Sequence, residues 1–154
     1  MSLCSFTEKF ELNAPIDRVF CHFTDTEKIG GFFPPSLRMR VVRRTARQLS
    51  QGNSIDFEAR LFYFPFRWKS YVHSFNPNRH IAYLMQGGLL DSWEHDQYFE
   101  SISGNQTRVT ECLLYHPPMG VIGKLANRLW IGPCLRRLFS FRHTGLISFF
   151  QTTT

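Results

Sequence analysis

Residues 93–100 of the chain read Trp-Glu-His-Asp-Gln-Tyr-Phe-Glu, and side chains of two kinds alternate along this stretch. The acidic side chains all have one parity, and the other parity carries Trp93, His95, Gln97 and Phe99. Successive side chains of a β-strand point to opposite faces of a sheet, and charged side chains avoid burial. The stretch therefore predicts a strand whose inner face carries His95 and Gln97.

The same alternation recurs on both sides of this stretch, between residues 37 and 116. Alternating segments stand at residues 37–42, 55–61, 66–73, 81–85, 93–100 and 108–116, with turn residues such as Asn76-Pro77-Asn78 between them. Such runs are typical of an antiparallel meander with one wet and one buried face. Residues 6–12 alternate as well, so the sequence predicts seven strands.

Helical spacing is found before and after the meander. Pro15 starts a short helix over residues 16–23, since proline suits the first helical position, and a second short helix is expected over residues 25–33. The tail over residues 119–150 has two apolar stripes, the second made of Leu135, Leu138, Arg142, Leu146 and Phe149. Gly132-Pro133 lies between the stripes and predicts a kink or a short break.

This order of elements indicates an α+β fold in a single domain over residues 1–154, with helices on one side of an antiparallel sheet. A strongly bent sheet around the tail helix leaves a space between the two. The chain contains 16 Phe, and 16% of its residues are aromatic, which is enough to fill a core and also to line an apolar cavity.

Several function classes are disfavoured by composition and motifs. The net charge is +6, but no block of five like charges is present, so nucleic-acid binding is not expected. The four Cys form no Cys-x-x-Cys pair, and the sequence shows no set of metal ligands at suitable spacing, no phosphate-binding glycine loop and no nucleophile motif. Without a signal-like or membrane-spanning apolar run, the expected location is the cytoplasm, and no cofactor is expected.

Five short segments stand in order along nearly the whole chain. They are Ala14-Pro15 followed by Val19-Phe20, Trp68 ahead of Asn76-Pro77, the Trp93-x-His95-x-Gln97-x-Phe99 strand, residues 107–111 leading to Tyr115-His116-Pro117, and residues 138–143. In this combination the chain resembles the START-like or SRPBCC superfamily, which has the birch-pollen-allergen-like fold, and most of all its small bacterial polyketide cyclase/dehydrase-like members. In that subgroup a second His tends to stand where this chain has Gln97.

The resemblance implies a helix-grip fold, in which a curved antiparallel seven-stranded sheet surrounds a long C-terminal helix, with two short helices after the first strand. It also implies the binding of a small hydrophobic or amphipathic ligand, of lipid, polyketide, terpenoid or quinone type, in the internal space. An enzyme of the cyclase/dehydratase type, acting on a polyketide-like substrate in the same space, is the alternative. The superfamily hosts several functions, so the fold alone does not choose between them.

The candidate site combines an apolar wall with a polar spot. The wall is predicted from Phe57, Trp68, Trp93 and Phe99, and the polar spot from His95, Gln97, Glu111, Tyr115 and Arg142. Arg142 falls within an apolar helical stripe, where a guanidinium needs a partner. Three roles stay open: a buried structural cluster of Glu111, Arg142 and His95, a ligand-orienting site, or a catalytic site with His95 or Glu111 as general base.

Basic side chains are expected on the outer face of neighbouring strands. These are Arg38, Arg40, Arg60, Arg67 and Lys69, whereas a later strand turns Glu94, Asp96 and Glu100 outward. The basic side could dock on an anionic membrane or an acidic partner, or it could be a solvated face.

Overall fold

A computed structural model describes residues 3–61, 63–118 and 120–152 of the chain. In this part, seven antiparallel strands form one sheet: β1 (Cys4–Leu12), β2 (Arg40–Arg44), β3 (Ser54–Leu61), β4 (Phe64–Asn76), β5 (His80–Gly87), β6 (Ser92–Ser103) and β7 (Gln106–His116). The helical elements are α1 (Ile16–Thr24), two 3₁₀ turns (Ile29–Phe32 and Pro35–Leu37), α2 (Gly120–Ala126), a π-helical turn (Asn127–Ile131) and α3 (Gly132–Thr152). The predicted α+β helix-grip fold is confirmed.

The strand order is β1-β7-β6-β5-β4-β3-β2, so five successive hairpins run from β2 to β7, and β1 returns beside β7. The register places Trp93 opposite Tyr115, and Gln97 opposite Glu111. His95, Gln97 and Phe99 are buried, as the alternation in β6 predicts. Central strands that are paired on both sides therefore carry the polar candidates to the inside of the molecule.

The segment between β1 and β2 is less helical than predicted. Helix α1 forms where expected and buries Val19, Phe20 and Phe23. The second helix, predicted over residues 25–33, is only a 3₁₀ turn, because Gly30-Gly31 disfavours α-helix. The strand predicted to begin at residue 37 starts at Arg40, since Pro35–Leu37 forms the next 3₁₀ turn.

The tail helix continues through Gly132-Pro133 instead of breaking there. The irregularity lies one turn earlier, where the N–H of Gly132 donates to the carbonyl of Asn127 in a π-helical turn. Proline lacks an N–H and clashes with the preceding turn, and the wider π turn relieves both problems. The buried face of α3 includes Leu146 of the predicted stripe and adds Phe139, His143 and Phe150, whereas Phe149 of the stripe is 37% exposed.

The core is divided between two clusters. The larger one joins β1, α1 and the middle strands to the end of α3, and it includes Leu12, Val19, Ile55, Ile81 and Phe150. The smaller one joins Leu113 and Tyr115 to Phe139. Among the described residues, no helix has the length and apolar character needed to cross a membrane.

Candidate ligand-binding cavity

A cavity of about 440 Å³ lies between the inner face of the sheet and the tail helix. Strands β3 to β6 contribute one wall, and the π-helical turn with α3 contributes the other. Most of the lining side chains are apolar, among them Phe57, Ala59, Phe66, Trp68, Met85, Trp93, Leu135, Leu138 and Phe139. The long helix therefore covers the sheet without filling the space between them.

Six of the nine residues predicted for the site line this cavity: Phe57, Trp68, Trp93, His95, Gln97 and Arg142. Phe99 lies outside the lining and packs edge-on against Phe20 and Phe23, with ring centroids 5.0 and 5.3 Å away. Tyr115 also lies outside it, in the smaller core cluster, where its hydroxyl donates to Asn127 Oδ1 over 2.8 Å. Glu111 lies behind the wall formed by Gln97 and Arg142.

Glu111 is the centre of a buried polar network. Its Oε1 accepts hydrogen bonds from Gln97 Nε2 (2.6 Å) and Arg142 Nη1 (2.5 Å), and it lies 3.5 Å from His95 Nε2. Its Oε2 pairs with His143 Nε2 over 2.5 Å. The side chain is 1% exposed, so these partners replace all the hydration that the carboxylate loses.

These partners keep Glu111 ionised. Burial alone raises the pKa of a carboxyl group, but Arg142, His143 and His95 outweigh burial and hold the pKa of Glu111 well below its usual value. The cluster therefore contains an ionised, fully engaged carboxylate that ties β7 to α3. A buried pair of Glu111 and Arg142 was one of the three roles that the sequence left open, and the contacts of this cluster are those of such a pair.

His143 and Glu8 complete the network, and neither was predicted as a site residue. His143 Nδ1 lies 2.8 Å from Glu8 Oε2, so the ring bridges Glu8 on β1 and Glu111 on β7. Since carboxylates only accept, this arrangement suits the imidazolium form, which has two donors. The spacing of Phe139, His143, Leu146 and Phe150 at i, i+4, i+7 and i+11 was the sequence signal that could have placed His143 inward.

Four buried polar atoms at the cavity wall have no hydrogen-bond partner. They are Trp68 Nε1, Trp93 Nε1, Gln97 Oε1 and His95 Nε2, of which the last lies 3.5 Å from Glu111 Oε1, close enough for charge attraction but too far for a good hydrogen bond. Buried polar groups in native proteins are usually paired, and unpaired ones call for an explanation. Here all four belong to side chains that line one cavity, which gives them a common potential partner in a bound molecule.

The described residues contain no group of three or more His, Cys, Asp and Glu side chains placed to hold a metal ion. The side chains that line the cavity offer hydrogen bonding, apolar contact and, through His95, proton transfer.

Solved structures share this architecture, a START-like helix-grip fold. The Zhui aromatase/cyclase from Streptomyces sp. R1128 has a TM-score of 0.75 at 13% identity, over 97% of this chain and 94% of that one. A START superfamily protein from Mycobacterium smegmatis has a TM-score of 0.68 at 14% identity, over 92% and 96%. Truncated norcoclaurine synthase from Thalictrum flavum has a TM-score of 0.67 at 11% identity, over 95% and 94%.

These similarities confirm the fold that the resemblance predicted, and at such low identity they show the fold alone. No family model and no curated protein matches the sequence.

Proposed function

We propose that the protein binds one small hydrophobic or amphipathic ligand, of lipid, polyketide, terpenoid or quinone type, in the cavity between the sheet and the tail helix. The observation that carries this proposal is the coincidence of an apolar cavity of about 440 Å³ with four unpaired buried polar atoms on its wall. Ligand sites of proteins have this composition: an apolar enclosure with a few polar groups that orient the ligand.

Native mass spectrometry of the freshly purified protein tests the proposal. The expected result is a mass above that of the polypeptide, which disappears when the protein is denatured and extracted with organic solvent. Titration of the extracted protein with an apolar fluorescent dye should then show saturable binding. A protein without extra mass and without saturable dye binding would count against the proposal.

A cyclase/dehydratase-type enzyme acting in the same cavity is the second candidate. His95 favours it, because its Nε2 lies at the wall without a hydrogen bond, 3.5 Å from Glu111 Oε1, and could accept or donate a proton there. Glu111 is less suited to the role of base, since it is ionised but fully engaged by its partners. The names of two of the similar structures, an aromatase/cyclase and a synthase, add support.

The enzyme is tested by incubating the protein with a linear poly-β-ketone and following cyclised, dehydrated product. His95→Asn should abolish any rate above background, whereas His73→Asn, a change on the outer face of β4, should leave the rate unchanged. Equal rates with wild type, His95→Asn and no protein would rule out this reaction.

We also propose peripheral contact with an anionic membrane. The outer face of the sheet, from which this contact was predicted, carries less net positive charge than the sequence suggested. Glu58 pairs with Arg40 and Arg67, and Asp56 lies 3.8 Å from Lys69. These acidic partners engage three of the five predicted cations; of the other two, Arg60 lies on β3 and Arg38 precedes β2, outside the strand in which it was predicted.

The tail helix is the better supported membrane contact. Ile122, Leu125 and Leu129 are 69%, 60% and 69% exposed, and they follow one another at helical spacing. Residues 117–154 include no Asp or Glu, and the cations Lys124 and Arg128 each directly precede one of these apolar residues. An apolar face with flanking cations is typical of helices that lie on anionic membranes.

Vesicle co-sedimentation compares the two surfaces. With phosphatidylserine in the vesicles, the pair Leu125→Glu and Leu129→Glu should lose binding, and Ile102→Glu, on the β6–β7 hairpin, should not. If Arg38→Glu with Arg60→Glu is the pair that loses binding, the sheet face is the contact. No gain in binding over pure phosphatidylcholine would exclude both surfaces.

We also propose a cytoplasmic location, which the cysteines support. Cys4, Cys21, Cys112 and Cys134 are all free thiols, and free thiols persist in reducing compartments. Fractionation of the source cells, followed by thiol labelling without reductant, should find four reactive thiols on denatured protein in the cytoplasmic fraction.

A further inference from the structure

The charges at the cavity wall indicate what kind of ligand fits it. Among the described lining residues none is acidic, and the permanent cation is Arg142. Its Nη1 is bonded to Glu111, and its guanidinium lies over the ring of Phe23, 5.3 Å from the centroid. A ligand carboxylate would lose its hydration here and find this cation already neutralised. The wall therefore favours an uncharged ligand.

The indoles mark one end of the cavity. Trp68 Nε1 and Trp93 Nε1 are both buried without an acceptor, and an indole N–H can only donate. The two rings meet edge to face with centroids 6.4 Å apart. Because the rings are adjacent, a single ligand oxygen, or two close together, could accept from both.

Gln97 marks the other end. Its Nε2 donates to Glu111 Oε1, and since an ionised carboxylate cannot donate, the orientation of the amide is fixed. The amide oxygen is then directed away from Glu111, and it is buried without a donor. A ligand hydroxyl or N–H at this position would satisfy it.

Strand geometry separates the two ends. Trp93 and Gln97 lie on the same face of β6, four residues apart, which corresponds to about 13 Å of strand. At the Trp68–Trp93 end, the wall includes a row of nearly parallel rings: Trp68 stacks on Phe57 at 5.1 Å and on Phe66 at 5.5 Å, with interplanar angles of 22° and 20°. A row of parallel rings suits a flat apolar body.

We propose, on the basis of the proposed function, that the cavity selects an uncharged, flat, elongated ligand that has a hydrogen-bond acceptor at the Trp68–Trp93 end and a hydrogen-bond donor at the Gln97 end, and that it excludes carboxylates. The polarity of the ligand at each end is set by these side chains, since neither the fold nor the apolar character of the cavity determines it.

A set of four probes on one flat scaffold tests the proposal by calorimetric titration of the extracted protein. The probe 6-acetyl-2-naphthol has an acceptor and a donor at opposite ends. The other three are 2-acetylnaphthalene, which lacks the donor, 2-naphthol, which lacks the acceptor, and 6-acetyl-2-naphthoate, which carries a carboxylate. The first two of these probes leave one hydrogen bond unmade, and the naphthoate loses the hydration of its charge. Each of the three should therefore bind about tenfold more weakly than 6-acetyl-2-naphthol.

Variants locate the acceptor end. Trp68→Phe combined with Trp93→Phe removes both N–H donors and keeps aromatic rings at both positions. The double variant should bind 6-acetyl-2-naphthol about tenfold more weakly and no longer prefer it to 2-naphthol. Tyr71→Phe, on the exposed outer face of β4, is the control and should bind as wild type. If the double variant does not fold, the single variants and the wild-type probe series give the same comparison.

The outcomes separate this proposal from the one on which it rests. Equal affinities for the four probes would retain ligand binding and overturn the assigned polarity. Tightest binding of the naphthoate would overturn the exclusion of carboxylates. Failure of all four probes, together with no co-purified molecule and no dye binding, would overturn both proposals.

Discussion

At the level of single residues, Glu111 connects three elements: β6 through Gln97, α3 through Arg142 and His143, and β1 through His143 and Glu8. Glu111→Gln keeps the shape and removes the charge, which leaves Arg142, 12% exposed, without its counterion. Because breaking a buried ion pair leaves an uncompensated charge, we expect the free energy of unfolding to fall by about 3–5 kcal/mol. Urea denaturation at pH 7 measures this loss, and a change below about 1 kcal/mol would contradict it.

The same residue determines the response to acid. The pKa of Glu111 is lower in the folded protein than its usual value of 4.5, so the unfolded chain takes up this proton first as the pH falls. Its stabilising contribution is therefore present above pH 4.5 and is lost as the pH falls further, through the folded-state pKa. Denaturation at a series of pH values from 5 downward should show wild type losing stability more steeply than Glu111→Gln. Parallel curves would exclude Glu111 as the source.

His22 acts in a higher pH range. Burial, with help from Lys28 and Arg142, lowers the pKa of His22 from 6.5 to about 4, and its Nε2 has no partner among the surrounding rings. Stability should therefore fall as the pH decreases from 6.5 to about 4 and level off below, because the unfolded chain binds the proton first. His22→Phe, measured at pH 5, should be more stable than wild type by about 1 kcal/mol, after allowance for screening by solvent. A less stable variant at pH 5 would contradict this assignment.

At the level of elements, the position of α2 depends on a glycine. A Cβ atom at Gly123 would lie 2.0 Å from the carbonyl oxygen of Pro118, so the backbone would have to move. Gly123→Ala should therefore lower the melting temperature by several degrees, although alanine is the better helix former. Gly31→Ala is the matched control, because a Cβ there meets nothing within 4 Å. Equal melting temperatures for the two variants would show that the helix can shift at no cost.

The elements themselves were largely predictable from sequence, because alternation and helical spacing are local signals. The inward face of β6 follows from the parity of Glu94, Asp96 and Glu100 alone. The π-helical turn was not predictable, since proline indicates a disturbance and leaves open whether the chain breaks or widens. The inner face of α3 was predicted in part: Leu135, Leu138 and Arg142 line the cavity and Leu146 is buried. His143 was missed because it is the neighbour of Arg142, and both residues reach Glu111.

At the level of the whole molecule, the parts of the site that escaped prediction are those made by distant segments. Glu8, Glu111 and His143 come from β1, β7 and α3, and no spacing along the chain indicates that they meet. Phe99 and Glu111 have the inward parity expected of site residues, yet they lie outside the cavity. The alternation along a strand indicates which face of the sheet a side chain is on. The position of the cavity on that face depends on where the tail helix crosses it.

The open space between sheet and helix also sets how the molecule tolerates larger side chains. Ala59 lines the cavity and is 1% exposed, whereas Ala14 is fully buried in the larger core cluster. Ala59→Leu directs its added atoms into free volume and should change the free energy of unfolding by less than about 1 kcal/mol, whereas Ala14→Leu should cost about 1–3 kcal/mol by overpacking. Urea denaturation of both variants measures this difference.

The two substitutions should have the opposite ranking in their effects on ligand binding, where Ala59→Leu has the larger effect. Ala59→Leu occupies part of the cavity and should weaken binding of 6-acetyl-2-naphthol by about tenfold or more, because its added carbons take the volume of ring atoms. Ala14→Leu, as long as it stays folded, should bind the probe as wild type does. If Ala59→Leu loses as much stability as Ala14→Leu, the space between sheet and helix closes in solution. If Ala59→Leu binds the probe with unchanged affinity, the binding site lies elsewhere on the molecule.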